Sequence, residues 1–211
     1  AWYENDGGET FTTHTITTDA VNAMSVFAAD VDGDGDMDVL SASVNDDKIA
    51  WYENNGSETF APQTITTDAD GATSVFVEDV DSDGDMDVLS LSVNDDKIAW
   101  YENDGNATFA SPHTISTSAD GAWSVFATDV DGDGDIDVLS ASLNDDKIAW
   151  YDNDGSGSFT THTITTSVDQ PKSVFAADVD GDGDMDMLSA SWRDDKIAWY
   201  ENDGNEAFTP H

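Results

Sequence analysis

The chain has 211 residues, 46 of them acidic and only 6 basic, for a formal charge of -40 at pH 7. So acidic a molecule repels nucleic acid and anionic membrane, and its self-repulsion opposes folding unless cations or salt offset it. There is no cysteine, which excludes a disulfide framework and a thiolate metal site.

A WYEN or WYDN signature recurs at Trp2, Trp51, Trp100, Trp150 and Trp199, at intervals of 49, 49, 50 and 49 residues. Periods of this length belong to arrays, solenoids and propellers. The chain therefore reads as one repeat domain, 1–211, with units at 9–54, 58–103, 107–153 and 157–202 and partial units at 1–8 and 203–211.

Taken in chain order, the first unit predicts a strand over Phe11–Thr17, a variable loop over Thr18–Met24 and a second strand over Ser25–Ala29. An acidic loop, Asp30–Asp38, leads to a third strand, Val39–Val44, in which Leu40, Ala42 and Val44 alternate with Ser41 and Ser43. A turn at Asn45–Asp47 feeds a fourth strand, Lys48–Glu53, and an Asn-Asp-Gly type turn opens the next unit. Four short antiparallel strands per repeat predict an all-β fold of propeller blades, each about 49 residues long.

The acidic loop is the most regular feature: DVDGDGDMD, DVDSDGDMD, DVDGDGDID and DVDGDGDMD, starting at Asp30, Asp79, Asp129 and Asp178. In the first copy Asp30, Asp32 and Asp34 stand at positions 1, 3 and 5, Gly35 permits the sharp turn, Asp36 offers its carbonyl and Asp38 closes the cage. The matching residues are Asp79, Asp81, Asp83, Asp85 and Asp87, then Asp129, Asp131, Asp133, Asp135 and Asp137, then Asp178, Asp180, Asp182, Asp184 and Asp186. Hard cations take about six to eight oxygen ligands in tolerant geometry, so the prediction is four Ca2+ ions, one per loop. The closing Glu and flanking helices of an EF-hand are missing.

These loops at blade spacing resemble the FG-GAP/VCBS repeats, the calcium-binding propeller repeats also found in integrin alpha subunits. The family's Asp-x-Asp/Asn-x-Asp/Asn-Gly-x-x-Asp motif falls on Asp30–Asp38, Asp79–Asp87, Asp129–Asp137 and Asp178–Asp186. The resemblance implies a calcium-stabilised propeller, and family members close with seven or eight blades. Residues 1–14 nearly repeat 198–211, as expected of a segment from a longer array or of ends that pair with another copy.

Outside the loops, the repeated Asp46-Asp47-Lys48 turn predicts local ion pairing or capping, or a carboxylate that supports the next blade through a backbone amide. His14, His113 and His162, with Gln63 in the other repeat, read as strand-surface residues. Trp123 and Trp192 break the repetition, as does Arg193, and together with the variable loops they are the candidate contact surface. Sequons at Asn55 and Asn106 would matter in a secreted chain.

Near-identical repeats argue against a single asymmetric catalytic centre, so the expectation is that the chain is not an enzyme. The expected role is a non-enzymatic, calcium-stabilised extracellular repeat protein with a structural, adhesive, surface or filament function, and the alternative is a calcium-dependent, lectin-like propeller. Its partners would be proteins or glycans at the cell surface, or copies of itself, with no nucleic acid and no membrane insertion. The acidity and calcium loops point to a marine or halotolerant microbe. The chain begins at Ala1 with no visible leader, and reads as a processed piece targeted by a segment elsewhere.

Overall fold

The computed structural model describes residues 1–211 and is all-β, with eighteen strands and no helix. Strands β1 (Trp2–Asn5) and β2 (Phe11–His14) form a two-stranded sheet. Four antiparallel four-stranded sheets, propeller-like blades, follow in chain order. Blade 1 is β3 (Ala23–Ala29), β4 (Asp38–Ser43), β5 (Lys48–Asn54) and β6 (Phe60–Thr66). Blade 2 is β7 (Ala72–Glu78), β8 (Asp87–Ser92), β9 (Lys97–Tyr101) and β10 (His113–Ser116). Blade 3 is β11 (Ala122–Thr128), β12 (Asp137–Ser142), β13 (Lys147–Asn153) and β14 (Phe159–Thr165). Blade 4 is β15 (Pro171–Ala177), β16 (Asp186–Ser191), β17 (Lys196–Asn202) and β18 (Phe208–Pro210).

The strands group one place later than the sequence reading of units 9–54, 58–103, 107–153 and 157–202. The FTTHTIT-type strand pairs backwards: Trp51 faces Gln63 and Trp150 faces His162. It is therefore the last strand of a blade, and the Asn-Asp-Gly turn is a hairpin inside the blade. The segment that crosses to the next blade is the variable loop instead. By the same register β1 and β2 are the outer half of a blade: Trp2 faces His14 as Trp150 faces His162.

No blade buries its core alone. Period-2 alternation gives each sheet two apolar faces, and each core lies between two blades. Leu40, Ala42, Ile49 and Trp51 on the rear of blade 1 pack against Ala72, Val75, Val77 and Tyr101 on the front of blade 2. The pattern repeats between blades 2 and 3 and between blades 3 and 4. A phenylalanine ladder runs along the first strands, from Phe27 to Phe76 (ring centroids 4.8 Å), Phe126 (5.0 Å) and Phe175 (4.6 Å).

Three polar ties recur at each joint. Ser25 Oγ accepts from the Val75 N–H at 3.3 Å, as Ser74 does from Val125 and Ser124 from Val174. Asp47 Oδ1 accepts from the Gly71 N–H at 2.9 Å, as Asp96 does from Gly121 and Asp146 from Gln170. Asn103 Nδ2 donates to the Val31 carbonyl at 2.9 Å, as Asn153 does to Val80 and Asn202 to Val130. The Asp-Asp-Lys turn thus does two jobs. Its first aspartate pairs with the lysine (Lys48 to Asp46, 2.9 Å), and its second reaches the next blade.

Candidate metal centre

Each acidic loop joins the first and second strands of a blade, so its shape is set by both. Gly35 occupies φ +94°, a left-handed conformation that favours glycine, and its N–H donates to Asp30 Oδ2 at 3.0 Å. The same bond closes the other loops, from Gly84 to Asp79, Gly134 to Asp129 and Gly183 to Asp178. Asp38 at position 9 is fully buried and anchors the loop twice. Its Oδ2 accepts from the Val31 N–H (3.1 Å) and its Oδ1 from the Asn54 N–H (2.7 Å) at the end of β5. Asp87, Asp137 and Asp186 repeat both bonds.

In every loop the structure gathers positions 1, 3 and 9. Carboxylate oxygens of Asp30, Asp32 and Asp38 lie within 4.8 Å of one another, as do those of Asp79, Asp81 and Asp87, of Asp129, Asp131 and Asp137, and of Asp178, Asp180 and Asp186. Position 5 stands outside that trio: Asp34 Oδ1 accepts from the Asp36 N–H at 2.9 Å, and Asp83, Asp133 and Asp182 do the same for Asp85, Asp135 and Asp184. The position 7 side chain turns to the hairpin. A Cβ on Gly105 (φ +75°) would lie 2.5 Å from Asp85 Oδ2, and Asp36, Asp135 and Asp184 face Gly56, Gly155 and Gly204 likewise. Sequence spacing did not show that this contact is why the hairpin carries glycine.

The donor set fits a hard divalent cation. It is all carboxylate oxygen, three formal charges share a few ångströms, and Asp30 Oδ1 is buried with no hydrogen-bond partner. Burial, outweighing the two backbone N–H bonds each receives, pushes the Asp87 and Asp137 carboxyls up to about 7. Burial first and then neighbouring carboxylates, Glu102 among them, raise Asp81, and burial followed by Asp133 and Asp152 raises Asp131. A cation between such groups favours their ionised forms.

A pH dependence follows. The metal-free folded chain keeps protons on Asp87 and Asp137 that the unfolded chain, titrating near 3.8, has lost. Metal-free stability is therefore expected to be greatest below about pH 4 and to fall as pH rises through about 7. With excess divalent cation the ionised carboxylates are the ligands, and the trend reverses. Thermal midpoints across that range, in metal-free buffer and in calcium, check both slopes.

The histidines lie on outer strands and are not members of the carboxylate trios. His113 stacks on Trp100 and His162 on Trp150 (ring centroids 4.5 Å), and each sits beside a carboxylate, Glu102 and Asp152. Trp123 and Trp192 converge on one lysine: Lys172 Nζ is 4.0 Å from the Trp123 ring centre and 5.1 Å from that of Trp192.

Propeller-like blades with an acidic, metal-ready loop between their first two strands define a repeat class in which one loop serves one blade. The chain belongs to the FG-GAP-like repeat family, whose model matches residues 1–41, 30–90, 79–140 and 129–189. A search of curated proteins finds no match. Among solved structures the chain is similar to a Bacteroides fragilis protein assigned as a 6-phosphogluconolactonase (14% identity, 87% of this chain and 52% of that one, TM-score 0.61). It is also similar to the V. cholerae biofilm matrix protein Bap1 (19%, 93% and 32%, TM-score 0.50). A third is an endo-arabinase from Bacteroides thetaiotaomicron (16%, 95% and 83%, TM-score 0.56). The chain thus spans about half the length of the first and a third of the second.

At these identities the likeness shows the fold alone. It nevertheless overturns the expectation that the chain is not an enzyme, because the fold is shared with enzymes. Regular repeats do not preclude a catalytic centre, since sites are built on a fold by particular residues and the fold itself is neutral. No helix of the chain is long and apolar enough to cross a membrane.

Proposed function

We propose that the chain is a calcium-stabilised extracellular repeat protein with a structural, adhesive or surface role. The observation that carries this is one carboxylate cluster in each of four blades, built on a buried aspartate that two backbone N–H groups anchor. Asp38, Asp87, Asp137 and Asp186 each join the metal loop to the end of the third strand, so a cation there clamps the first three strands together. Calcium suits the site better than magnesium, which demands a stricter octahedron and dehydrates reluctantly. The similarity to a biofilm matrix protein supports the extracellular setting.

Calcium affinity tests the setting. Extracellular calcium modules half-saturate at about 10⁻⁴ to 10⁻³ M, far above the calcium level of cytosolic buffers. Calorimetric titration is expected to place these sites in that window. Half-saturation at about 10⁻⁸ M, the range of cytosolic buffers, would contradict it.

One observation favours a second reading, glycan binding. Four of the six cations, Lys48, Lys97, Lys147 and Lys196, pair with aspartates. The other two, Lys172 and Arg193, have no such ion pair; Lys172 lies over Trp123 and the 65% exposed Trp192, which Arg193 follows in sequence. An exposed indole beside a cation suits an acidic sugar ring. If that is the ligand, Trp192→Ala weakens binding on a glycan panel about tenfold, the loss of roughly 1.4 kcal/mol. No binding at millimolar glycan rejects this reading.

A further inference from the structure

The hairpin between the two outer strands carries Asp-Gly in four copies: Asp6-Gly7, Asp104-Gly105, Asp154-Gly155 and Asp203-Gly204. Blade 1 departs from this. Its hairpin carries Asn55-Gly56, and no other asparagine of the chain precedes a glycine.

The first metal loop keeps residue 56 a glycine. Gly56 holds φ +75°, and a Cβ there would collide with Asp36 Oδ2. A glycine nitrogen is the least hindered of backbone nucleophiles, because no side chain shields it from the amide one residue before. Asn55, Gly56 and Ser57 are all exposed, so water reaches the pair.

The Asn55 amide is also polarised. Its Oδ1 accepts from the Ser57 N–H at 3.1 Å and from the Ser57 hydroxyl at 2.7 Å. The backbone donor fixes the oxygen, and not the nitrogen, at that end of the amide. Two donors thus face the atom that gains negative charge when a nucleophile adds to Cγ, and such donors stabilise a tetrahedral intermediate. Asn106 and Asn205 differ. Their Nδ2 groups donate to the carbonyls of Asp104 (3.2 Å) and Asp203 (3.1 Å), and the residues after them are Ala107 and Glu206.

We propose that Asn55-Gly56 is a self-modifying site whose co-reactant is water. The Gly56 nitrogen loses its proton to solvent and attacks Asn55 Cγ. A C–N bond forms, the Cγ–Nδ2 bond breaks, and its electron pair leaves with a proton as ammonia, closing a succinimide ring. Water then adds to one of the two ring carbonyls and breaks that carbon's bond to the Gly56 nitrogen, which recovers its proton. Opening at Cγ gives aspartate, and opening at the main-chain carbonyl gives isoaspartate. The balance is asparagine and water to acid and ammonia, with no redox change.

The two products act differently on the fold. Aspartate is what the other four hairpins carry, where Asp6, Asp104, Asp154 and Asp203 each accept the N–H two residues on. Isoaspartate routes the main chain through the side chain, adds a methylene before Gly56 and moves that glycine from its place against Asp36. Only this product disturbs the first metal loop.

Peptide mapping by mass spectrometry tests the site, on the full chain aged in mildly alkaline calcium buffer made with heavy-oxygen water. The peptide holding Asn55 is expected to gain the mass difference between amide and acid, with one heavy oxygen, well before those holding Asn106 and Asn205. Ser57→Ala removes one donor from the amide oxygen and is expected to slow the conversion several-fold. The aged chain is expected to melt below Asn55→Asp, which carries the aspartyl product alone. An Asn55 peptide that ages no faster than the other two would overturn the proposal. An unchanged rate in Ser57→Ala would overturn the part given to its hydroxyl, and equal melting of the aged chain and Asn55→Asp would overturn the displacement of Gly56.

Discussion

Removing calcium is expected to lower the thermal midpoint at pH 8 by tens of degrees, or to leave the chain unfolded at room temperature. Each loop holds three carboxylates within 4.8 Å, in a molecule of formal charge -40. Without a cation that repulsion is uncompensated in the folded state and relieved on unfolding. A ligand at a hundredfold over its dissociation constant adds about 2.7 kcal/mol per site. Four sites then amount to roughly 11 kcal/mol, comparable with the whole stability of an ordinary domain. For a chain of this size each kcal/mol moves the midpoint by about 2–4 °C. The measurement is a melt in chelator against one at a hundredfold over that dissociation constant, about 10–100 mM calcium for sites of 10⁻⁴ to 10⁻³ M. Equal midpoints would mean that the cation does not hold the blades.

The second large effect is expected from Asp137→Ala. Its carboxylate accepts from the Val130 N–H at 3.0 Å and the Asn153 N–H at 2.8 Å, both in buried surroundings. Truncation leaves two buried donors unsatisfied, at about 1–3 kcal/mol each, and removes one of the three gathered carboxylates of the third loop. Asn153 also ties blade 3 to the Val80 carbonyl of blade 2, so the damage spreads to the joint. A fall of about 10–20 °C in calcium is expected, on the same scale of a few degrees per kcal/mol. Asp133→Ala, which removes one acceptor from an exposed backbone N–H, is the control and should cost far less. Asp137→Ala should lower the midpoint in metal-free buffer as well, though less than in calcium, because the two backbone bonds are lost in either case and the place in the carboxylate trio counts only when a cation is bound.

The loops were legible because every group in them lies within nine consecutive residues, but spacing did not show that positions 1, 3 and 9 gather while position 5 bonds the loop backbone and position 7 faces the hairpin. Strand alternation was legible for the same local reason. The assignment of Phe60–Thr66 to a blade was not. An alternating strand looks alike whichever neighbour it pairs with, and only the register of Trp51 with Gln63 decides. The support that Asp47 gives to the next blade was one of two readings of its turn, and the structure shows both, ion pair and amide contact. The Asn103 to Val31 bond spans 72 residues and leaves no local trace. The expectation against catalysis failed for a different reason: it judged chemistry from repetition, and the same fold carries enzymes.

Native mass spectrometry of the chain titrated with calcium counts the sites directly. One cation per blade predicts four bound ions, with Asp137→Ala reduced to three. Saturation at none, or an unchanged count of four in Asp137→Ala, would contradict the assignment of one ion to each acidic loop.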